Sequence, residues 1–171
     1  MHSNTMIAII AGSVIACGGS DQPVDEPATP APQTATQRVK STAAIYDASG
    51  RLLGTVRVND DDGGVTLVGE LRGLKPGIHG FHVHETGMCE APFNSAGGHW
   101  NPLGKQHGTE NPAGFHLGDL KNLEVGSDSA VLVWDMMRSA LLTGPGGMLD
   151  ADGAALVVHE SADDNMTDPS G

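Results

Sequence analysis

The chain has 171 residues, enough for one domain of ordinary size plus appendages. With 9 basic against 21 acidic residues, its formal net charge of −12 excludes the basic footprint that nucleic-acid binding needs. It holds 24 glycines and 10 prolines and is only 4% aromatic, which favours a β-rich fold with many tight turns over a helical bundle.

Residues 6–16 (MIAIIAGSVIA) form an apolar run as long as a signal-peptide core and too short to span a bilayer as a permanent helix. Residues 1–16 are therefore predicted to be a signal peptide, although only His2, and no Lys or Arg, precedes the run. Val14-Ile15-Ala16-Cys17 resembles the bacterial lipobox, in which the cysteine becomes the lipidated first residue of the mature protein. The alternative is a plain signal peptide with an incidental Cys17. Both readings predict export, to the periplasm or outer cell envelope, with any membrane contact made through a lipid anchor alone. Residues 18–37 (GGSDQPVDEPATPAPQTATQ) lack large apolar groups that could offset their ordering entropy, so 17–38 reads as the lipidated cysteine and a flexible tether. The folded domain is predicted over 39–171.

In that domain, strands are expected over 43–46 and 52–58, flanking the turn Asp47-Ala48-Ser49-Gly50 as in a hairpin. A turn over 60–64 leads into a strand over 65–71. Lys75-Pro76-Gly77 turns the chain again, and one strand follows over 78–85. The segment 86–116 has few strand signals, and a connection that long in a compact domain is usually functional when something orders it. Strands recur over 130–135 and 154–159. Between them, 136–142 (MMRSALL) suits one or two helical turns or a strand equally. Strands at this spacing predict an all-β fold, an antiparallel sandwich or barrel.

Eight histidines against one tyrosine and three phenylalanines are a reason to look for a metal site, since histidine is the commonest metal ligand, but are not in themselves evidence of one. His82-Val83-His84 lies on a predicted strand, where residues two apart share a side, so the two imidazoles can meet one metal. His99 follows, then His107, His116 and Asp119 in a glycine-rich stretch with no core pattern. His159 ends the last predicted strand. His79 has the wrong parity to join His82 and His84, and is expected to make a structural hydrogen bond.

Four segments carry a resemblance: Gly80-Phe81-His82-Val83-His84-Glu85, Ser95-Ala96-Gly97-Gly98-His99, Gly114-Phe115-His116-Leu117-Gly118-Asp119-Leu120 and Leu156-Val157-Val158-His159-Glu160. They resemble, in order and spacing, the signature segments of the copper,zinc superoxide dismutases, and the similarity runs from about residue 43 to Asp164. The resemblance implies a Greek-key β-barrel with long metal-binding loops. It also implies one copper per chain, bound by His82, His84, His99 and His159, which are the catalytic residues. One zinc per chain would be bound by His107, His116 and Asp119, with His99 bridging both metals as an imidazolate. The donor sets suit their metals: four imidazoles fit a copper that cycles between Cu(II) and Cu(I), and three nitrogens with one carboxylate fit redox-inert zinc. Asp163 stands where the family has a carboxylate that accepts hydrogen bonds from one ligand of each metal, here His82 and His107. An exposed loop aspartate, beside Asp164, is the other reading.

The partner so implied is the superoxide anion. The net charge of −12 would repel it at long range, but screening limits that reach to about 8–10 Å, and Lys105 and Lys121 are candidate steering residues or plain surface charges. The family's bacterial members include monomers and dimers, so a homodimer stays open. Cys89 sits where those members have the first half of a disulfide. The chain given stops at Gly171, inside what resembles the electrostatic loop, whereas the family continues with an arginine, a second cysteine and a final strand. Two readings follow: a shortened form of a complete enzyme, favoured by the retention of every ligand, or a copper- and zinc-binding module with little or no turnover.

Overall fold

The structure is a computed structural model that describes residues 40–168. His2, the apolar run, Cys17 and the tether lie outside the described residues. Eight strands and one short 3₁₀ turn account for the regular structure among those described: β1 (Lys40–Tyr46), β2 (Leu52–Asp61), β3 (Gly64–Arg72), β4 (Gly77–His79), β5 (Phe81–His84), β6 (Leu123–Val125), β7 (Ala130–Arg138) and β8 (Ala155–Val158), with the 3₁₀ turn at Asn94–Ala96. The fold is all-β and every ladder is antiparallel.

One layer is a four-stranded sheet in the order β1-β2-β3-β7. The other consists of two ladders, β4 with β6 and β5 with β8. Pairings between strands far apart in the chain, β3 with β7 and β5 with β8, are the crossovers of a Greek key. Val56, Val65, Leu67, Leu71 and Val133 point inward from the large sheet to meet Phe81 and Val83 of β5, and all are almost fully buried. The tight β2–β3 connection turns on Gly63, whose φ of 96° is open to glycine at little steric cost.

Three departures from the expected elements have physical reasons. The strand expected over 78–85 is two strands, because Gly80 leaves the ladder. Its N–H donates to the Ser161 carbonyl at 2.8 Å and its carbonyl accepts from the His159 N–H at 2.8 Å, so β4 and β5 find different partners. Residues 136–138 are strand rather than helix, since Met137 pairs with Val65 and Arg138 with Gly64, and that ladder outweighs a marginal helical preference. Strand β6 was not expected; three residues are too few to show a period.

Candidate metal centre

Strand β5 is buried on both faces: Phe81 and Val83 enter the core, while His82 (0% exposed) and His84 (9%) face the other way, under the connection that follows. That connection is ordered by backbone bonds to β5. Val83 N–H donates to Gly118 O at 2.9 Å, Gly118 N–H to Trp100 O at 2.9 Å, and Trp100 N–H to Val83 O at 2.8 Å, a closed triangle of three strand-like segments. Glu85 N–H donates to Gly98 O at 2.9 Å, and isolated bridges pair His82 with Asp119 and His84 with His99. The long segment thus lays two of its stretches along β5, which delivers His99 and Asp119 to the two histidines already there. His159, one residue beyond β8, arrives through the β5–β8 ladder.

The seven residues singled out in the sequence form two groups. His82, His84, His99 and His159 offer nitrogens that all lie within 4.8 Å of one another, and so do the donor atoms of His99, His107, His116 and Asp119. His99 belongs to both. Its ring centroid is 4.0 Å from that of His82 and 5.0 Å from that of His84, and 5.1 Å and 5.5 Å from those of His107 and His116.

In the second group, Asp119 is the hub. Its Oδ1 lies 2.8 Å from His99 Nδ1 and 3.2 Å from the Nδ1 atoms of both His107 and His116. Its Oδ2 accepts the backbone N–H groups of Gly108 at 2.8 Å and His116 at 3.0 Å. A cation about 2.0–2.1 Å from four tetrahedral donors holds them roughly 3.3 Å apart, so the group has the size of a zinc site. In the first group, His84 gives Nδ1–H to Gly97 O at 2.9 Å, which turns its Nε2 toward His159 Nε2 at 3.4 Å.

Asp163 is buried between the groups. Its Oδ2 accepts from His82 Nε2 at 2.7 Å and its Oδ1 from His107 Nε2 at 3.1 Å. Its neighbour Asp164 turns away and caps Met166 and Thr167. Asn122, which sequence reasoning passed over, holds Asp163 from behind: its Nδ2 donates to Asp163 O at 2.8 Å and its Oδ1 accepts from Asp163 N–H at 3.1 Å. Only spatial proximity marks this residue; a polar side chain in a loop carries no signal of its own.

The protonation states of the first group and of Asp119 suit metal binding, while the raised His107 favours its charged form and must lose a proton to ligate. Burial first, then the nearby His99, pushes His82 down to about 3, and burial with the neighbouring histidines pushes His159 down to about 4. Burial also lowers His84. Burial works against the Asp119 carboxylate, but hydrogen bonds from His99 and Gly108 outweigh it and keep the group ionised. Burial likewise tends to lower His107, yet the Asp163 and Asp119 carboxylates prevail and raise it. Neutral imidazole and ionised carboxylate are the ligating forms. Two buried atoms decide the question of fit: among the described residues His82 Nδ1 and His116 Nδ1 make no hydrogen bond, although His116 Nδ1 comes within 3.2 Å of Asp119 Oδ1. His82 spends its Nε2–H on Asp163, so Nδ1 is a buried lone pair, costly unless a cation meets it.

Stability should follow these shifts. In metal-free protein, His82 and His159 stay neutral when folded but take up protons at about 6.5 when unfolded, so the unfolded state binds more protons below that pH. Unfolding free energy is expected to fall as pH drops from 6.5 towards 4, by up to about 1.4 kcal/mol per pH unit for each histidine. Denaturant titrations of chelated protein at several pH values measure it; a flat profile contradicts the assignment.

The remaining residues singled out lie elsewhere. His79 is buried, with ring nitrogens 2.8 Å from His159 O and 2.9 Å from Lys75 O, and joins neither group. Cys89 is exposed and is the one cysteine among the described residues. Lys105 and Lys121 are exposed, the first beside Gly114 and the second lining a cleft along β7.

Residues 52–171 match the family described as copper/zinc superoxide dismutase (SODC). Over its whole length the chain is 36% identical to the superoxide dismutase-like protein YojM of Bacillus subtilis, covering 91% of it. A Cu-Zn superoxide dismutase of Caulobacter vibrioides is 40% identical over 77% of this chain and 78% of its own. Among solved structures, a SOD-like protein from Bacillus subtilis superposes with a TM-score of 0.72 at 41% identity, covering 76% of this chain and 89% of that one.

Proposed function

Because the chain belongs to the copper/zinc superoxide dismutase family, we propose that it dismutates superoxide at a copper held by His82, His84, His99 and His159, beside a zinc held by His99, His107, His116 and Asp119. The observation that carries this reading is the pair of donor groups sharing His99, each with a buried ring nitrogen that makes no hydrogen bond among the described residues. Copper would supply reversible one-electron transfer, and zinc a redox-inert charge. Two superoxide anions and two protons become one dioxygen and one hydrogen peroxide.

The chain's own residues supply position and a proton. His99 directs Nδ1 at Asp119, which leaves Nε2 for the first group; that nitrogen takes up a proton in one half-reaction and yields it to the departing peroxide in the other. Asp163 fixes the rings of His82 and His107, and with them the orientation of the nitrogens they present. His99 keeps a side-chain exposure of 10% and His159 is also half-buried, against 0% for His82, so a small anion would meet the first group on the side of His99 and His159. Every donor comes from one chain, and dimerisation is not required to build the site. Export follows from the apolar run at 6–16, with lipid attachment at Cys17; a disulfide through Cys89 belongs to the same reading.

A second reading, metal binding with little turnover, draws on the name of the superoxide dismutase-like relative. One experiment separates the two. Protein loaded with copper and zinc should carry about one of each and accelerate superoxide decay in pulse radiolysis. His84→Ala should keep its zinc and lose turnover by on the order of 100-fold or more. Fully loaded protein that leaves superoxide decay unchanged would establish the second reading.

A further inference from the structure

The outer face of the four-stranded sheet has a composition unlike the rest of the molecule. Strand register places Lys40 and Tyr46 on β1, Arg57 on β2, Val68, Glu70 and Arg72 on β3, and Leu132, Trp134 and Arg138 on β7, all directed away from the core. Leu132 is 76% exposed, Trp134 65% and Tyr46 51%. Arg72 pairs with Glu70, and Asp61, in register with Gly64 and through it with Arg138, is the second carboxylate of this face. In a chain of net charge −12, this face carries four cations, Lys40, Arg57, Arg72 and Arg138, against two carboxylates, Asp61 and Glu70, around exposed aromatic and aliphatic groups. None of these residues belongs to either donor group.

We infer that this face docks the protein on an anionic lipid surface. Trp and Tyr have an apolar body and a polar edge, and both collect at the headgroup level of membranes. Arg and Lys just outside that level attract acidic headgroups. The arrangement favours a plane over a protein partner. A protein interface concentrates its aromatic anchors at the centre of a desolvated patch. Here Trp134 and Leu132 lie on one edge strand and Tyr46 on the other, about 14 Å away at the usual strand spacing, with Arg57 between them. The long-range repulsion of the acidic remainder is screened within about 8–10 Å, so the near face governs contact. No helix among the described residues is long and apolar enough to cross a membrane, so the contact is peripheral.

Vesicle flotation of the full chain tests this, with neutral phosphatidylcholine vesicles against vesicles that also hold phosphatidylserine. Any binding through residues 6–16 is common to both vesicle types and to every variant. The expected result is added binding on the acidic vesicles that falls about fivefold for each cation lost in Arg57→Gln and Arg138→Gln, and that high salt abolishes. Trp134 is the reporter, since the other tryptophan, Trp100, is buried. Its emission should shift to the blue on acidic vesicles and be quenched by brominated lipid, a signal absent from Trp134→Phe. Metal content should stay unchanged in all these variants. Equal binding to both vesicle types, or variants that bind acidic vesicles like the parent, would overturn the inference. Sedimentation showing a dimer that Trp134→Ala dissolves would overturn it in favour of a second copy.

Discussion

Replacing Asp119 by alanine is expected to remove zinc from the protein and to lower the stability of the metal-free form by about 3 kcal/mol. Both effects come from one carboxylate with two separate tasks. Its Oδ1 faces three imidazole nitrogens at 2.8–3.2 Å, and its Oδ2 satisfies the N–H groups of Gly108 and His116. Truncation strands two backbone donors, each costing about 1–3 kcal/mol if buried and unpaired. It also leaves three imidazoles converging on nothing. Asp119→Asn separates the tasks. An amide oxygen can still accept from the two N–H groups, so metal-free stability should stay within about 1 kcal/mol of the parent while the anionic donor, and zinc with it, is lost. Metal analysis after dialysis against a weak chelator, with chemical denaturation of the apo forms, checks both halves. An alanine variant that retains a full equivalent of zinc would contradict the arrangement.

The second large effect is expected at Gly118. A Cβ there would lie 2.4 Å from Val83 O and 3.0 Å from Trp100 O, and backbone cannot swing aside as a flexible side chain does. Gly118→Ala must therefore open the triangle that joins β5 to the segments bearing His99 and Asp119. We expect a loss of about 3 kcal/mol or more and the loss of both metals, since His82, His84, His99 and Asp119 all adjoin that triangle. Gly98→Ala is the matched control. It is next to His99, yet a Cβ there meets only Glu85 Oε1 at 3.8 Å, so its cost should stay within about 0.5 kcal/mol. Thermal unfolding and metal content of the two variants give the comparison directly. Equal behaviour would mean that proximity to the site, and not the backbone triangle, sets the sensitivity.

How much of this could be read from the residues alone varies with the range of the physics involved. The pairing of His82 with His84 was legible because strand side chains alternate with a period of two, and that survives any tertiary context. The turn at Asp47 was legible for a similar reason: Asp47 Oδ1 accepts from the N–H groups of Ser49 and Arg51, a purely local device. The break at Gly80 was not, because it depends on carbonyl and amide partners at Ser161 and His159, far along the chain. Nor was the end of β7, where the β3 ladder decides between two conformations that 136–142 supports about equally. Asp163 and Asp164 are the same residue type side by side. Only burial separates them, since one faces two imidazoles and the other a solvent-exposed turn.

The connectivity of Asp163 also bears on the order in which the molecule assembles. Its bonds to His82 and His107 join residues 81 and 56 positions apart, whereas β1, β2 and β3 meet through short turns. Closing a long stretch of chain costs more entropy than closing a hairpin, so contacts of large sequence separation form late. The three-stranded meander should thus be in place before the histidines converge. An ion arriving during synthesis would meet scattered imidazoles rather than a socket. Metal uptake is then a property of the finished barrel, and its rate should follow the slowest closure of the chain rather than the supply of the ion.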